Sequence, residues 1–69
     1  MRNRLKVCRA EHNISQDQLA SKVGVTRQAI HSVETGKYMP NIFLAFKIAR
    51  AFHKNIEDVF IYEEHEVRE

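Results

Sequence analysis

Arg27 and Gln28 are adjacent, and His31, Ser32 and Thr35 follow them at helical spacing. Successive residues of a helix turn by about 100°, so these five share one side while Ala29, Ile30 and Val33 share the other. None of the five is acidic, and most can donate hydrogen bonds. An arginine guanidinium spans O6 and N7 of a guanine, and a glutamine amide spans N6 and N7 of an adenine. The set is therefore suited to the base edges of a DNA major groove. Arg27 and Gln28 lie in the first turn, the part of a recognition helix that meets the bases. The competing reading of each is plain solvated helix surface, so the surrounding elements have to decide.

Those elements are two short helices across a tight turn. Ser15-Gln16-Asp17-Gln18 reads as a capping box, with the Ser15 hydroxyl accepting from an early amide and Gln18 reaching back. Ile14 before the cap and Leu19 after it have the spacing of a hydrophobic staple. The helix runs from Ser15 to about Val23, and Gly24 supplies the positive φ of a sharp turn. Thr26 caps the next helix, which runs to Thr35, and Gly36 stops it. Val25 and Ile30 repeat the staple spacing, and Ala20 is small enough to let the two helices approach. Residues 15–36 thus have the layout of a helix-turn-helix.

The rest of the chain supplies support. A first helix is expected from about Arg2 to Glu11, with Leu5 and Cys8 inward and Asn13 at its end. After the loop Lys37-Tyr38-Met39-Pro40, Asn41 caps a fourth helix running to about Phe52. Asn55 caps a short fifth helix from Ile56 to Phe60. Phe52 and Phe60 fit the core, whereas Phe43 cannot share a face with Leu44, Ile48 and Phe52. No stretch before residue 59 alternates like a strand, so the fold class is all-α with five helices. Residues 1–60 form the DNA-binding domain, and 61–69 form a short C-terminal arm.

The pattern resembles the lambda-repressor/Cro-like, or Xre-type, helix-turn-helix regulators over about residues 4–60. The likeness rests on Arg9, Ser15-Gln16, Leu19-Ala20, Gly24-Val25-Thr26, Ile30, Val33-Glu34, Gly36-Lys37, Pro40 and Ile48-Ala49. It implies base reading by Thr26, Arg27, Gln28 and Ser32, with His31 beside them. It implies phosphate contacts from Gln16 and from Thr35, Lys37, Tyr38 and Asn41. It also implies a structural ion pair between Arg9 and Glu34, which would neutralise the one acid on the DNA-facing helix. Two positions depart from the pattern. Cys8 replaces a larger apolar residue, and Phe43 stands beside Lys47 and Arg50 where a polar residue is usual.

Charge agrees with a polyanionic partner. Residues 1–54 carry ten basic side chains against three acidic ones, a balance of +7, while residues 55–69 carry one against six, a balance of −5. A basic body favours DNA, and the acidic end should point away from it. Apolar residues make up 43% of the chain, which places it among globular rather than disordered proteins. No apolar run approaches the roughly 20 residues of a membrane span. No signal-peptide pattern follows Met1-Arg2-Asn3-Arg4, and the single cysteine allows no internal disulfide, so a reducing cytoplasm is expected. His12, His31, His53 and His65 are scattered without ligand spacing, and no catalytic constellation is present, so neither metal, cofactor nor enzymatic activity is expected.

A chain of 69 residues lies near the lower limit for folding on its own core, and one module reads few base pairs. Both arguments favour a homodimer on a palindrome, with half-sites about 34 Å apart. Ile56, Val59, Phe60, Ile61 and Tyr62 are the expected contacts, with residues 61–69 as a candidate dimerisation strand. Occupancy of a promoter would then repress transcription. The alternative is an adaptor or antitoxin whose acidic tail engages a protein partner. Such a module has no need of an intact Arg27 and Gln28.

Overall fold

The computed structural model describes residues 2–63. Five helices follow one another: α1 (Leu5–His12), α2 (Gln16–Val23), α3 (Arg27–Glu34), α4 (Ile42–Ala51) and α5 (Ile56–Val59). No described helix is long and apolar enough to cross a membrane.

The start and stop signals do what their chemistry requires. The Ser15 hydroxyl accepts from the Gln18 amide at 3.0 Å, and the Gln18 side chain accepts from the Ser15 amide at 2.8 Å. The Thr26 hydroxyl accepts from the Ala29 amide at 3.1 Å, and Asn41 Oδ1 accepts from the Leu44 amide at 2.8 Å. These bonds satisfy amides that have no partner inside their own helices. Asn13 ends α1 at φ 54° and Gly24 ends α2 at φ 79°, both left-handed. A Cβ on Gly24 would meet nothing within 4 Å, so it is the backbone angle rather than lack of space that favours glycine there. His53 also adopts a left-handed φ of 57° just after α4, where the sequence offers no glycine.

The core gathers under α2, α3 and α4. Leu19, Ile30, Ile48 and Phe52 lie at its centre, with Leu5 and Cys8 of α1 sealing one side. Val59 and Phe60 close the bottom. The staple residues Ile14 and Val25 are half-buried against it.

The first helix starts later than its sequence suggests. Residues 2–4 lie outside the helix, and Asn3 forms an antiparallel bridge with Phe60. The Arg4 amide donates to the Val59 carbonyl at 2.7 Å, and the Ile61 amide donates to the Arg2 carbonyl at 3.0 Å. The beginning of the C-terminal arm therefore pairs with the chain's own N-terminal segment. Arg2 Nη1 reinforces this with a 2.9 Å ion pair to Glu63 Oε2. The remainder of the expected arm, residues 64–69, lies outside the described residues.

Candidate nucleic-acid interface

The third helix is held from three directions. At its end, Glu34 accepts two bonds from Arg9 of α1, Nε to Oε1 at 3.2 Å and Nη2 to Oε2 at 2.9 Å. Arg9 Nη1 also donates to the Ile14 carbonyl at 3.1 Å, so one guanidinium joins α1, the α1–α2 loop and α3. Gln16 Nε2, from the first residue of α2, donates to Glu34 Oε1 at 3.1 Å. From the third side, Asn3 Nδ2 donates to the Val33 carbonyl at 2.9 Å, while its Oδ1 accepts from the Leu5 amide at 3.1 Å.

Burial alone would raise the Glu34 carboxyl pKa. The hydrogen bonds from Arg9 and Gln16, with the charges of Arg9 and Lys6, outweigh it and hold the carboxyl below the ordinary carboxylate range. The acid on α3 is therefore ionised, paired and turned inward, with only 9% of its side chain exposed. Its negative charge is thus compensated rather than presented outward.

With α3 fixed, its outer face carries the side chains singled out for base reading. Arg27, Gln28 and His31 are exposed and Ser32 is half-buried, so the structure brings these four to one surface. Thr26 stands at the start of the same helix with its hydroxyl already accepting from Ala29. Arg27 Nε lies 3.8 Å from Asp17 Oδ1, a loose contact between side chains that are 63% and 77% exposed. A pair so exposed is weak, and leaves the guanidinium available to another acceptor.

The residues singled out for phosphate contact divide into two groups. Lys37 and Tyr38 are exposed in the loop after α3, their amides donating to the Ser32 carbonyl at 3.0 and 3.1 Å. That bonding fixes the loop against the helix end and directs its function to side chains. Asn41 is exposed beside them at the start of α4, with its Oδ1 occupied as a cap. Thr35 and Gln16 are engaged internally. The Thr35 hydroxyl donates back to the His31 carbonyl at 3.0 Å. Gln16 Nε2, besides its bond to Glu34, lies 3.4 Å from His31 Nδ1. Either residue must share or exchange a bond to donate to a phosphate.

The expected dimer contacts also divide. Val59 is fully buried and Phe60 is 6% exposed, both inside the chain's own core. Ile56 and Ile61 are half-buried, and Tyr62 is largely exposed. Sequence reasoning did not anticipate Asn3 as a clamp on α3, because residues 2–4 read as the first turn of α1. Its only local signal is an asparagine just before an apolar helix start. The link between Gln16 and His31 had no local signal at all.

A helix-turn-helix family model matches residues 5–59. A transcriptional regulator of the helix-turn-helix type from Methanocaldococcus jannaschii is 56% identical over 66 residues, covering 96% of this chain and 100% of that protein. One from Archaeoglobus fulgidus is 51% identical over 69 residues, covering 100% of this chain and 97% of that protein. YgzD of Bacillus subtilis, of the same type, is 47% identical over 64 residues, covering 93% and 97%. The match spans every helix from α1 to α5 and includes the Arg9–Glu34 fork, the Gly24 turn and the outward face of α3. The chain is a member of the lambda-repressor-like, Xre-type helix-turn-helix family of DNA-binding transcriptional regulators.

Proposed function

We propose that this regulator acts as a homodimeric repressor that reads a palindromic operator through α3 in the major groove. The observation that carries the reading is the outward face of α3. Arg27, Gln28 and His31 are exposed there, while Arg9, Gln16 and Asn3 hold the same helix from behind. A base reader has to present its side chains in a fixed register, because one bidentate contact gives about 1–3 kcal/mol of discrimination only when both bonds align. Thr26 and Ser32 flank the readers on the same surface. Lys37, Tyr38 and Asn41 grip the phosphate backbone beside α3, with Gln16 and Thr35 joining once their internal bonds are exchanged. Repression follows from occupancy of a promoter by the dimer.

The test is a selection of duplexes from random sequence, followed by fluorescence anisotropy. The reading requires wild type to prefer the selected duplex over scrambled DNA by at least about a thousandfold. Arg27→Ala/Gln28→Ala should fall to scrambled-level binding. A symmetric selected site supports the palindrome, and reporter transcription that drops when the site overlaps a promoter supports repression. Failure of any sequence to be enriched, or a double variant that binds like wild type, would overturn base reading by α3.

A further inference from the structure

Two polar side chains from different helices meet at the edge of the outward face of α3, and only one arrangement of their hydrogens fits. Gln16 Nε2 on α2 lies 3.1 Å from Glu34 Oε1 and 3.4 Å from His31 Nδ1. The chain of contacts begins at Arg9, whose guanidinium holds both oxygens of Glu34. Glu34 is an ionised carboxylate, which accepts hydrogen bonds and donates none. The Gln16 atom facing it has to be the amide nitrogen, because the amide oxygen in that place would set two acceptors against each other. One hydrogen of that nitrogen goes to Glu34, and the other is left for His31. His31 Nδ1 is then an acceptor, since a second N–H there would oppose the one from Gln16. In a neutral imidazole, an unprotonated Nδ1 leaves the hydrogen on Nε2.

A histidine on a DNA-facing helix is ordinarily ambivalent. Its ring donates from one nitrogen and accepts at the other, and it exchanges between the two tautomers. Here the choice is made before any ligand arrives. His31 is exposed on α3, and among the described residues its Nε2 has no partner within the chain. The free nitrogen is thus a donor of fixed identity. Base edges in the major groove sort clearly against such a donor. Guanine presents acceptors at N7 and O6, adenine at N7 and thymine at O4, whereas cytosine presents only the hydrogens of N4.

We infer that Gln16 locks His31 in the Nε2–H tautomer, and that His31 thereby excludes cytosine from the base position it meets. This selectivity rests on base reading by α3 and adds the kind of base that one position takes. His31 is the specificity-determining residue, and Gln16 is a positioning residue that acts through it. Glu34, the one acid on α3, sets the direction of the relay. A phosphate contact from Gln16 would take one of the two committed hydrogens, so it would release the ring and abolish the exclusion.

Two measurements test this. In the first, long-range nitrogen–proton correlation spectra of the full chain report the protonation of each ring nitrogen at about pH 8, above the ordinary histidine range. His31→Ala identifies the His31 signals among those of the four histidines. Wild type should show a fully pyridine-like Nδ1 and a fully pyrrole-like Nε2. Gln16→Met keeps the length of the side chain without its amide. It should move the two nitrogen signals towards each other, as in a ring exchanging tautomers, with circular dichroism checking that the helices are kept. A protonated Nδ1 in wild type, or signals that Gln16→Met leaves in place, would overturn the lock.

In the second, fluorescence anisotropy compares the selected duplex with duplexes carrying cytosine at each read position in turn. His31→Ala should reduce the discrimination against cytosine at one position by at least about fivefold, the low end for one mismatched pair. Gln16→Met should reduce it at the same position, and the double variant should lose no more than His31→Ala alone. A phosphate contact weakens all sequences alike and cancels in these ratios. Dependence on Arg27 should be unchanged throughout. If wild type accepts cytosine at the position that His31→Ala affects, or if the effects of the two variants simply add, the exclusion is overturned and base reading by Arg27 still stands. Enrichment of no sequence at all would overturn base reading and the exclusion together.

Discussion

Arg9 on α1 and Glu34 on α3 meet as two forks, with both carboxylate oxygens engaged at 3.2 and 2.9 Å. The side chains are only 17% and 9% exposed, so water screens them little. Removing one partner of a buried pair strands the other, at a cost of about 3–5 kcal/mol. Arg9→Ala should therefore cost about 3 kcal/mol, the lower end of that range, because an edge of the pair remains wet. A domain of this length has about 3–10 kcal/mol in total, so the variant should be close to unfolding at body temperature. Arg9→Lys should recover only part of the loss, since an ammonium cannot hold both oxygens and the Ile14 carbonyl in the same plane. Urea denaturation of the three proteins measures this, and a lysine variant as stable as wild type would show that charge alone matters.

The lowered Glu34 pKa makes stability depend on acid. A carboxyl that ionises more readily in the folded state contributes stability above its unfolded value. That contribution is lost as pH falls through the folded value. Stability from this group should be complete above about pH 5 and should decline below its ordinary value of 4.5. Glu34→Gln should start less stable at neutral pH and flatten this part of the acid dependence. Thermal melts of both proteins between about pH 6 and pH 3 check the prediction, and parallel curves would refute it.

Phe43 and Phe52 are the same residue type on α4 and at its end, with opposite fates. Phe43 is 76% exposed and Phe52 is 2% exposed, its ring 5.2 Å from that of His12. Phe52→Ala should cost about 3–5 kcal/mol from lost burial and the cavity left behind. Phe43→Ser should change stability by less than about 0.5 kcal/mol. Denaturation midpoints distinguish the two, and a large loss from Phe43→Ser would mean the ring is covered in solution.

Cys8 is 1% exposed. Burial pushes its thiol pKa up, Lys54 opposing and Glu11 adding to the rise. The thiol is therefore protonated as well as inaccessible. Alkylation by iodoacetamide near pH 8 should be far slower than for a free thiol and should accelerate with urea as the core opens. Rapid labelling of the native protein would contradict the packing of α1.

Lys37 is exposed in the loop after α3. If it neutralises one phosphate, Lys37→Ala should weaken selected and scrambled DNA alike. It should also reduce the slope of log affinity against log salt by about 0.9. Arg27→Ala should instead reduce preference for the selected duplex. Anisotropy titrations at several salt concentrations separate these behaviours. Equal loss of preference in both variants would contradict the division between them.

Much of this molecule was legible because its signals are local. Ser15, Thr26 and Asn41 cap helices through amides three residues away, and Asn13 and Gly24 turn the chain through their own φ. Apolar spacing alone sent Leu19, Ile30 and Val33 inward, and therefore Arg27, Gln28 and His31 outward. What these signals lack is any measure of where distant segments come to lie. Only the tertiary structure joins residues 2–4 to Val59, Phe60 and Ile61, which delays α1 to Leu5 and closes an ion pair between residues 61 apart. Only it hangs Asn3 on Val33 and ties Gln16 to Glu34. The sequence by itself determined that Asn13 and Gly24 turn, that Ser15, Thr26 and Asn41 cap, and that Arg27, Gln28 and His31 face outward, because those choices are made within one helical turn. The tertiary structure decided what clamps α3, and that Val59 and Phe60 serve the core while Ile42 and Phe46 face water, because each of these depends on which surfaces meet once the helices have packed.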